Sequence, residues 1–288
     1  MAFELKQEGF RLRDILVVVG IPEATYHYHV KNFGKEDPDI ELKELITEQF
    51  KKFHERYGYK RITKELKKLG YRVNHKKVYR LMRELGLKCV KFMRKSRKYN
   101  SYKGNVGKVA KNRLSRRFYT PIPLQKLVTD ITEFKCLGEE KLYLNPLLDL
   151  YNGEIIAFGI KKRPTLDLVM EPLDETIEFI KNYATYRTTI HSDQGWHYQH
   201  SKWVNTLKKN NVFQSMSRKA TCADNASMEN FFGILKQEMY YGEKLVSYEE
   251  LKRRIEDYIY WYNHVRSKAK LTGLSPVEYR TQSSQSAA

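Results

Sequence analysis

The sequence predicts two folds in series: an N-terminal all-α region of helix-turn-helix type, then an α/β domain built on a mixed five-stranded sheet. Three observations support this multidomain reading. Apolar residues recur at helical spacing from Leu12 to Leu85, punctuated by Gly20, Gly58, Gly70 and Gly86. From Leu124 the spacing becomes strand-like, with Asn152-Gly153 as a hairpin signal. Beyond that hairpin, helical and extended segments alternate, as in an α/β unit. A length of 288 residues with 41% hydrophobic content suffices for two or more cores.

No apolar run near the start is long enough to cross a bilayer or act as a signal segment. The longest, Ile15 to Ile21, stops at Pro22, so a soluble cytoplasmic protein without a membrane partner is expected. Cys89, Cys136 and Cys222 form no CxxC pair, which argues against a disulfide framework and a cysteine zinc site. The charge is unevenly placed. Residues 1 to 120 hold 31 Lys and Arg against 13 Asp and Glu, whereas residues 121 to 288 hold 22 against 21. Almost all of the +19 net charge is therefore N-terminal. Such self-repulsion is relieved by a polyanion, so nucleic acid is the leading partner and a solvated basic surface the alternative.

Residues 1–40 form a small helix-turn-helix-like segment. Leu12, Ile15, Leu16 and Val19 make one apolar stripe, and Pro22 opens a second helix of little positive charge, suited equally to packing, dimer contact or DNA. Residues 41–90 form a stronger helix-turn-helix domain, with helices near 42–56, 60–69 and 75–85. In the third, Asn74 is the N-cap and Val78, Leu81, Met82 and Leu85 fall on one face. Lys76, Lys77, Arg80 and Arg83 point elsewhere, giving the basic face of a recognition helix and candidate DNA contacts. Residues 91–122 are a basic linker. Between Glu84 and Asp130 there is no acidic residue against 13 Lys or Arg. Arg94, Lys95, Arg97 and Lys98 lie in this stretch, which is expected to order on a DNA backbone.

Residues 123–240 form the α/β domain. Its strands begin with QKLVTDITEF, which carries Asp130 at its middle, and a hairpin follows around Tyr151-Asn152-Gly153. A helix over 165–182, a short strand ending at Asp193, a helix over 200–209 and a strand over 212–215 come next. Thr221 and Asp224 have capping-box spacing for the helix that carries Glu229. On that helix Asn225, Gly233 and Lys236 share a line with Glu229, and Gly233 leaves room for a backbone to approach. Asp149 reads as a turn residue. His191 and His197 flank Asp193 as possible DNA or substrate contacts, without a third ligand at zinc spacing. Residues 241–280 are a helical extension. Ser247 and Glu250 box its helix over 247–263, Leu251, Ile255, Tyr258, Ile259 and Tyr262 form the core stripe, and Tyr260 lies opposite, either stacking on a base or simply exposed. Residues 281–288, rich in Ser and Gln, read as a disordered tail.

Asp130, Asp193 and Glu229, the last two separated by 35 residues, match the DDE signature, and the words around them match as well. VTDITEF, HSDQGWHY, SMENFFGILKQE and YNHVRSKAKLTGLSPVEY resemble the OrfB-type transposase subunit of the insertion sequence three family, within the retroviral integrase superfamily. YGYKRITKELKKLGYRVNHKKVYRLMRELGL resembles that family's upstream helix-turn-helix segment. Together the matches cover roughly residues 41 to 280.

The resemblance implies an RNase H-like catalytic core and a bacterial, nucleoid-associated enzyme. It implies binding to the terminal inverted repeats of a mobile element, cleavage at an element end that frees a 3′-hydroxyl, and attack of that hydroxyl on target DNA. Three converging carboxylates repel one another unless cations neutralise them, and hard oxygen ligands select Mg²⁺ or Mn²⁺. Two ions per site are expected, held by Asp130, Asp193 and Glu229, with Lys236 and Asn225 at family positions near the DNA. Pairing two element ends implies a homo-oligomer in a synaptic complex. The family's full enzyme gains an upstream-frame region by frameshifting, so the upstream-frame protein is a further candidate partner. Two other readings stay open: a catalytically silent DNA-binding regulator of transposition, and an RNase H-type nuclease. The intact triad speaks against the first, and the helix-turn-helix units speak against the second.

Overall fold

A computed structural model of the protein describes residues 1–32, 37–89, 109–218 and 222–285. Arg94, Lys95, Arg97, Lys98 and Thr221 lie outside these residues. The chain divides into two compact units, Met1–Lys88 and Cys89–Ala288.

The first unit is all helical. It opens with α1 (Ala2–Gln7), a single short helix without an apolar period to announce it, followed by α2 (Leu12–Val19) and α3 (Glu23–Asn32). Only Ile15 and Tyr26 are buried in these three helices, so their shared core is thin. The next three, α4 (Ile40–Lys52), α5 (Tyr59–Lys68) and α6 (His75–Glu84), close around Ile46, Phe50, Ile62, Leu66, Val78, Leu81 and Met82. Asn74 caps α6 as expected, its Oδ1 accepting the Lys76 N–H at 2.9 Å. The stripe on α6 is one residue shorter than its spacing suggests. The helix ends at Glu84, which leaves Leu85 exposed at the C-cap.

The second unit is a sheet with helices on both faces. Its strands are β1 (Lys126–Thr129), β2 (Thr132–Lys135), β3 (Lys141–Asp149), β4 (Ile155–Lys161), β5 (Thr189–Ser192) and β6 (Phe213–Met216). The expected five strands are six, because the first divides at Asp130. β1 and β2 pair with β3 in one unbroken antiparallel register, from Leu127↔Asp149 to Lys135↔Lys141. That register sets Asp130 opposite Pro146, which has no N–H to lend to a neighbouring strand. β4 pairs antiparallel on the other side of β3, while β5 pairs parallel to β1 and β6 parallel to β5. The β3–β4 connection turns at Gly153, whose φ of +74° favours glycine.

Side chains of the strands alternate between two cores. Val128, Leu144 and Leu148 join α10 (Ala226–Met239) and α11 (Tyr248–His264) on one face. Leu127, Leu147 and Ile190 join α7 (Asp167–Tyr183) and α9 (Ser201–Lys209) on the other, with the single turn α8 (Trp196–Gln199) between. The close approach of α7 to β4 depends on Gly159, where a Cβ would meet the carbonyl of Leu168.

α11 follows its sequence signature: Ser247 Oγ accepts the Glu250 N–H, and the stripe from Leu251 to Tyr262 is buried. The last helix, α12 (Pro276–Gln285), runs through residues whose composition reads as a tail. A capping pair explains it, since Ser275 N–H donates to Glu278 Oε2 at 2.7 Å and Glu278 N–H returns to Ser275 Oγ. Arg280 then ties the helix to Glu154 at the β3–β4 turn, at 2.8 Å.

Candidate active site

β1 and β5 run parallel in a register that joins Lys126 to Thr189, Leu127 to Ile190 and Val128 to His191. Continuing that register places Asp130 beside Asp193, one strand apart, about 5 Å between backbones. Both strands end there, so both carboxylates stand at the same edge of the sheet. Asp193 is oriented by the next turn, its Oδ1 accepting the Gly195 N–H at 2.9 Å. Asp130 Oδ1 accepts the N–H of Ile131 at 2.8 Å, a bond the broken ladder makes available.

Glu229 arrives from the first turn of α10. Met228, Phe231, Phe232 and Leu235 bury that helix in the core shared with Val128 of β1, and Glu229 is left exposed next to the strand end. The electrostatics record the convergence. Burial, then the Asp193 charge and more weakly that of Glu229, push the Asp130 carboxyl well above its ordinary range. Burial also raises Asp193 and Glu229. Three carboxylates that resist joint ionisation make a site that a cation would complete.

Asn225 strengthens that reading. It is buried rather than presented on an open face, and it lies against the Asp130 carboxyl, which it favours in the charged form. Its Oδ1 is left without a hydrogen-bond partner. Such an orphaned polar group suits a hydrated ion or a substrate oxygen. Among the described residues no three His, Cys, Asp or Glu side chains form a ready ligand set for one ion. Mg²⁺ does not need one, since it keeps several waters and takes one or two carboxylates with substrate phosphate. The donors present therefore fit hard divalent cations.

Other sequence candidates occupy different roles. Lys236 Nζ donates to Thr132 Oγ1 at 2.6 Å and to the Glu133 carbonyl at 3.1 Å, so it braces α10 on β2 just past Asp130. None of the described residues approaches within 4 Å of a Cβ built at Gly233, which keeps that face of α10 open. Asp224 is not a helix cap: α10 starts at Ala226 after a 3-10 turn, Cys222–Asn225, and the carboxylate is taken by Arg218, Arg116 and Asn112. His191 and His197 are structural. His191 is fully buried between Ser215 and Ser217, and desolvation lowers its pKa to about 4, while His197 donates to the Pro164 carbonyl at 2.7 Å. Asp149, fully buried, accepts the N–H groups of Leu124 and Tyr151, the turn role read from sequence. Tyr260 is exposed and stacks on His264 at 4.5 Å. On α6, Lys77 and Arg80 both pair with Asp39, and Arg80 also with Glu84, while all four basic side chains, Lys76 and Arg83 included, remain exposed.

Sequence reasoning missed the polar cluster behind the aspartates. Asn145 Nδ2 lies within hydrogen-bond reach of Thr129 Oγ1 at 2.8 Å, the Asp130 carbonyl at 3.0 Å and Tyr198 Oη at 2.8 Å. Asn145 is fully buried, and Tyr198, also buried, follows Asp193 by five residues. The amide thus links the strand that carries Asp130 to the segment that carries Asp193. The only signal for it is an asparagine inside the apolar run YLNPLLD. Asn145→Ala is expected to cost about 1–3 kcal/mol of stability in unfolding titrations, the scale for leaving buried partners unpaired. Misplacement of the aspartates should also lower turnover by roughly 10–100-fold.

Comparison with known proteins places the pieces in the same order. Residues 37–96 match an HTH-like domain, and residues 120–222 and 229–283 match integrase core domains. The chain is 41% identical over 279 residues to a transposase, InsK, for insertion sequence element IS150 of Escherichia coli (strain K12), covering 97% of this chain and 96% of that one. It is 47% identical over 189 residues to a transposase-like protein of Haemophilus influenzae, covering 66% and 86% of the two chains. It is also 33% identical over 190 residues to the transposase InsF for insertion sequence IS3fB of Escherichia coli (strain K12), covering 65% of each.

Proposed function

This chain belongs to the insertion sequence three family of integrase-core transposases, and from that premise we propose that it cuts and joins DNA at the ends of a bacterial insertion element. The observation that carries the proposal is the pair Asp130 and Asp193 at matched ends of two parallel strands, with Glu229 of α10 acting on the same point.

In this reading Asp130, Asp193 and Glu229 hold two divalent cations, Mg²⁺ or Mn²⁺. When bound, such ions neutralise the three carboxylates and stabilise the attacking and leaving oxygens of an in-line displacement at phosphorus. The protein's own side chains then position and hold. Gly195 N–H fixes Asp193, Asn145 fixes the strand break at Asp130, and Lys236 keeps α10 seated beside β2. No covalent protein intermediate is required, because the nucleophile is a water in end cleavage and a DNA 3′-hydroxyl in strand transfer.

The helix-turn-helix region at 41–90 recognises the terminal inverted repeats, with Lys76 and Arg83 as the phosphate or base contacts of α6. Lys77 and Arg80 serve it by fixing α6 to Asp39. The basic stretch at 91–108 contacts DNA phosphates, whereas residues 109–122, read from sequence as part of the same linker, pack on the second unit, with Leu114 buried in its core and Asn112 and Arg116 bonded to Asp224. Two element ends must be held at once, so the working form is an oligomer on paired double-stranded ends and target DNA.

The test supplies the full chain with duplexes carrying candidate terminal repeats and Mg²⁺, and looks for 3′-end cleavage and joined products on a gel. Asp193→Asn is the control. Wild type should give strand-transfer products and the variant none. Binding without products from assembled ends, or equal activity in the variant, would refute the reading.

A further inference from the structure

Asp224 is fully buried, yet its carboxylate is heavily engaged. Its Oδ2 accepts from Asn112 Nδ2 at 2.9 Å and from Arg218 N–H and Nε at 3.1 and 3.0 Å. Its Oδ1 accepts from Arg116 Nε and Arg218 Nη2, both at 3.0 Å. One buried negative charge therefore faces two guanidinium groups, whose side chains are 53% and 59% exposed. These bonds hold the Asp224 carboxyl far below the usual carboxylate range, so the anchor stays charged.

An ordinary surface ion pair leaves long side chains mobile and cancels their charge. Here the anchor sits inside the protein and balances one unit of positive charge, leaving the second in excess at the surface with the outer donors of both forks. Arginine forks held in place in this way suit the oxygens of a phosphodiester, which they can bind bidentately.

The location gives the arrangement its meaning. Asp224 acts on the ring of His191, two residues before Asp193, and directly precedes Asn225, which lies against Asp130. Further arginines continue the line along β6, the last strand of the sheet. Arg113 N–H donates to Ser215 Oγ at 2.9 Å, and its guanidinium lies 4.2 Å from the Phe213 ring centre, with that of Arg187 at 3.5 Å from the same ring. The segment from Ala110 to Arg116 is thus fastened to the strand, with Ala110 N–H on Met216.

We infer that Arg116 and Arg218, held by buried Asp224, form a phosphodiester-binding clamp that seats a DNA backbone at the rim of the carboxylate site. The clamp rests on the DNA-processing reading above and adds a substrate contact to it. It takes phosphates irrespective of base sequence, because guanidinium forks on backbone oxygens carry no base information.

The test measures binding of the full chain to a fluorescent duplex in EDTA, where no cutting occurs, across a salt series by anisotropy. Arg116→Gln and Arg218→Gln are compared with wild type and with Lys162→Gln, which removes an exposed lysine paired with Glu140. Each clamp variant should flatten the dependence of log affinity on log salt by about 0.9 for every phosphate it no longer neutralises. Lys162→Gln should leave it as in wild type. In the cleavage assay Arg116→Gln should raise KM more than it lowers kcat. Its melting temperature should stay near wild type, because Arg218 still pairs with Asp224. Wild-type slopes in both clamp variants, with normal wild-type binding, would overturn the clamp alone. Failure of wild type to bind any duplex would overturn the DNA reading and the clamp with it.

Discussion

Asp130→Asn is expected to abolish strand transfer while making the metal-free protein more resistant to unfolding at neutral and alkaline pH. The activity loss should be at least ~10²–10³-fold, the scale for removing one preorganised electrostatic group from a reacting phosphate. The stability gain follows from the sign of the pKa shift. The folded carboxyl lies above its unfolded value because burial and the neighbouring Asp193 and Glu229 disfavour its charge. A group shifted in that direction binds its proton more tightly when folded, so its contribution is fully present below the unfolded value near 4. That contribution is lost as pH rises through the folded value. Wild type in EDTA should therefore show a melting temperature that falls across the neutral range, and Asp130→Asn a flatter profile. Mg²⁺ should restore the wild type at high pH and leave the variant nearly unchanged. Melting curves over pH with and without Mg²⁺ decide it, and a variant that still gains from Mg²⁺ as wild type does would remove Asp130 from the metal site.

The largest stability effect is expected away from the chemistry, at Glu238. This carboxylate is fully buried near the end of α10 and receives Arg266 Nη2 at 2.6 Å, Arg266 Nε at 2.9 Å and the Tyr258 hydroxyl at 2.7 Å. Glu238→Ala leaves the buried Arg266 guanidinium without its counter-charge, and should cost about 3–5 kcal/mol in urea unfolding. The double variant Glu238→Leu with Arg266→Met should recover much of that loss, since a buried pair replaced by packed apolar groups is often neutral or better. The pair joins α10, which carries Glu229, to the chain beyond α11. Destabilisation here should therefore loosen the seat of Glu229 as well. A single variant as stable as wild type would mean that the pair contributes little.

The sequence made some features plain because their signals are local. Helix boundaries on α5 and α6 follow from glycine punctuation, the Asn74 cap and the apolar stripe, all within a few residues of one another, whereas α4, expected to reach 56, stops at Lys52, ahead of positive φ at His54 and Glu55 and well before Gly58. The α11 stripe and its Ser247 cap were equally legible. Asp130, Asp193 and Glu229 could be singled out by spacing and neighbouring words, although they lie far apart in the chain.

Other features depend on partners that no local pattern names. α12 was obscured by its Ser and Gln content, although Ser275 and Glu278 carry the capping signal three residues apart. Asn225 looked like a DNA contact and lies buried against Asp130, because the turn before α10 folds inward. Lys77 and Arg80 looked equivalent to Lys76 and Arg83 on a helical projection, yet Asp39, far away in sequence, claims the first two. Asp224 had the spacing of a cap and instead anchors one arginine from the segment before β1 and one that follows β6.

The opening prediction of fold class thus divides along a physical line. By itself the sequence determined most element types, the helix-turn-helix and the mixed character of the sheet, because periodicity and caps are properties of contiguous residues, and its motif words singled out the three candidate carboxylates. Tertiary structure alone decided the parallel register that aligns Asp130 with Asp193, the strand break opposite Pro146, and which charges are paired. Strand pairing and burial are settled by competition among residues distant in the chain, and that competition leaves no trace in any single segment.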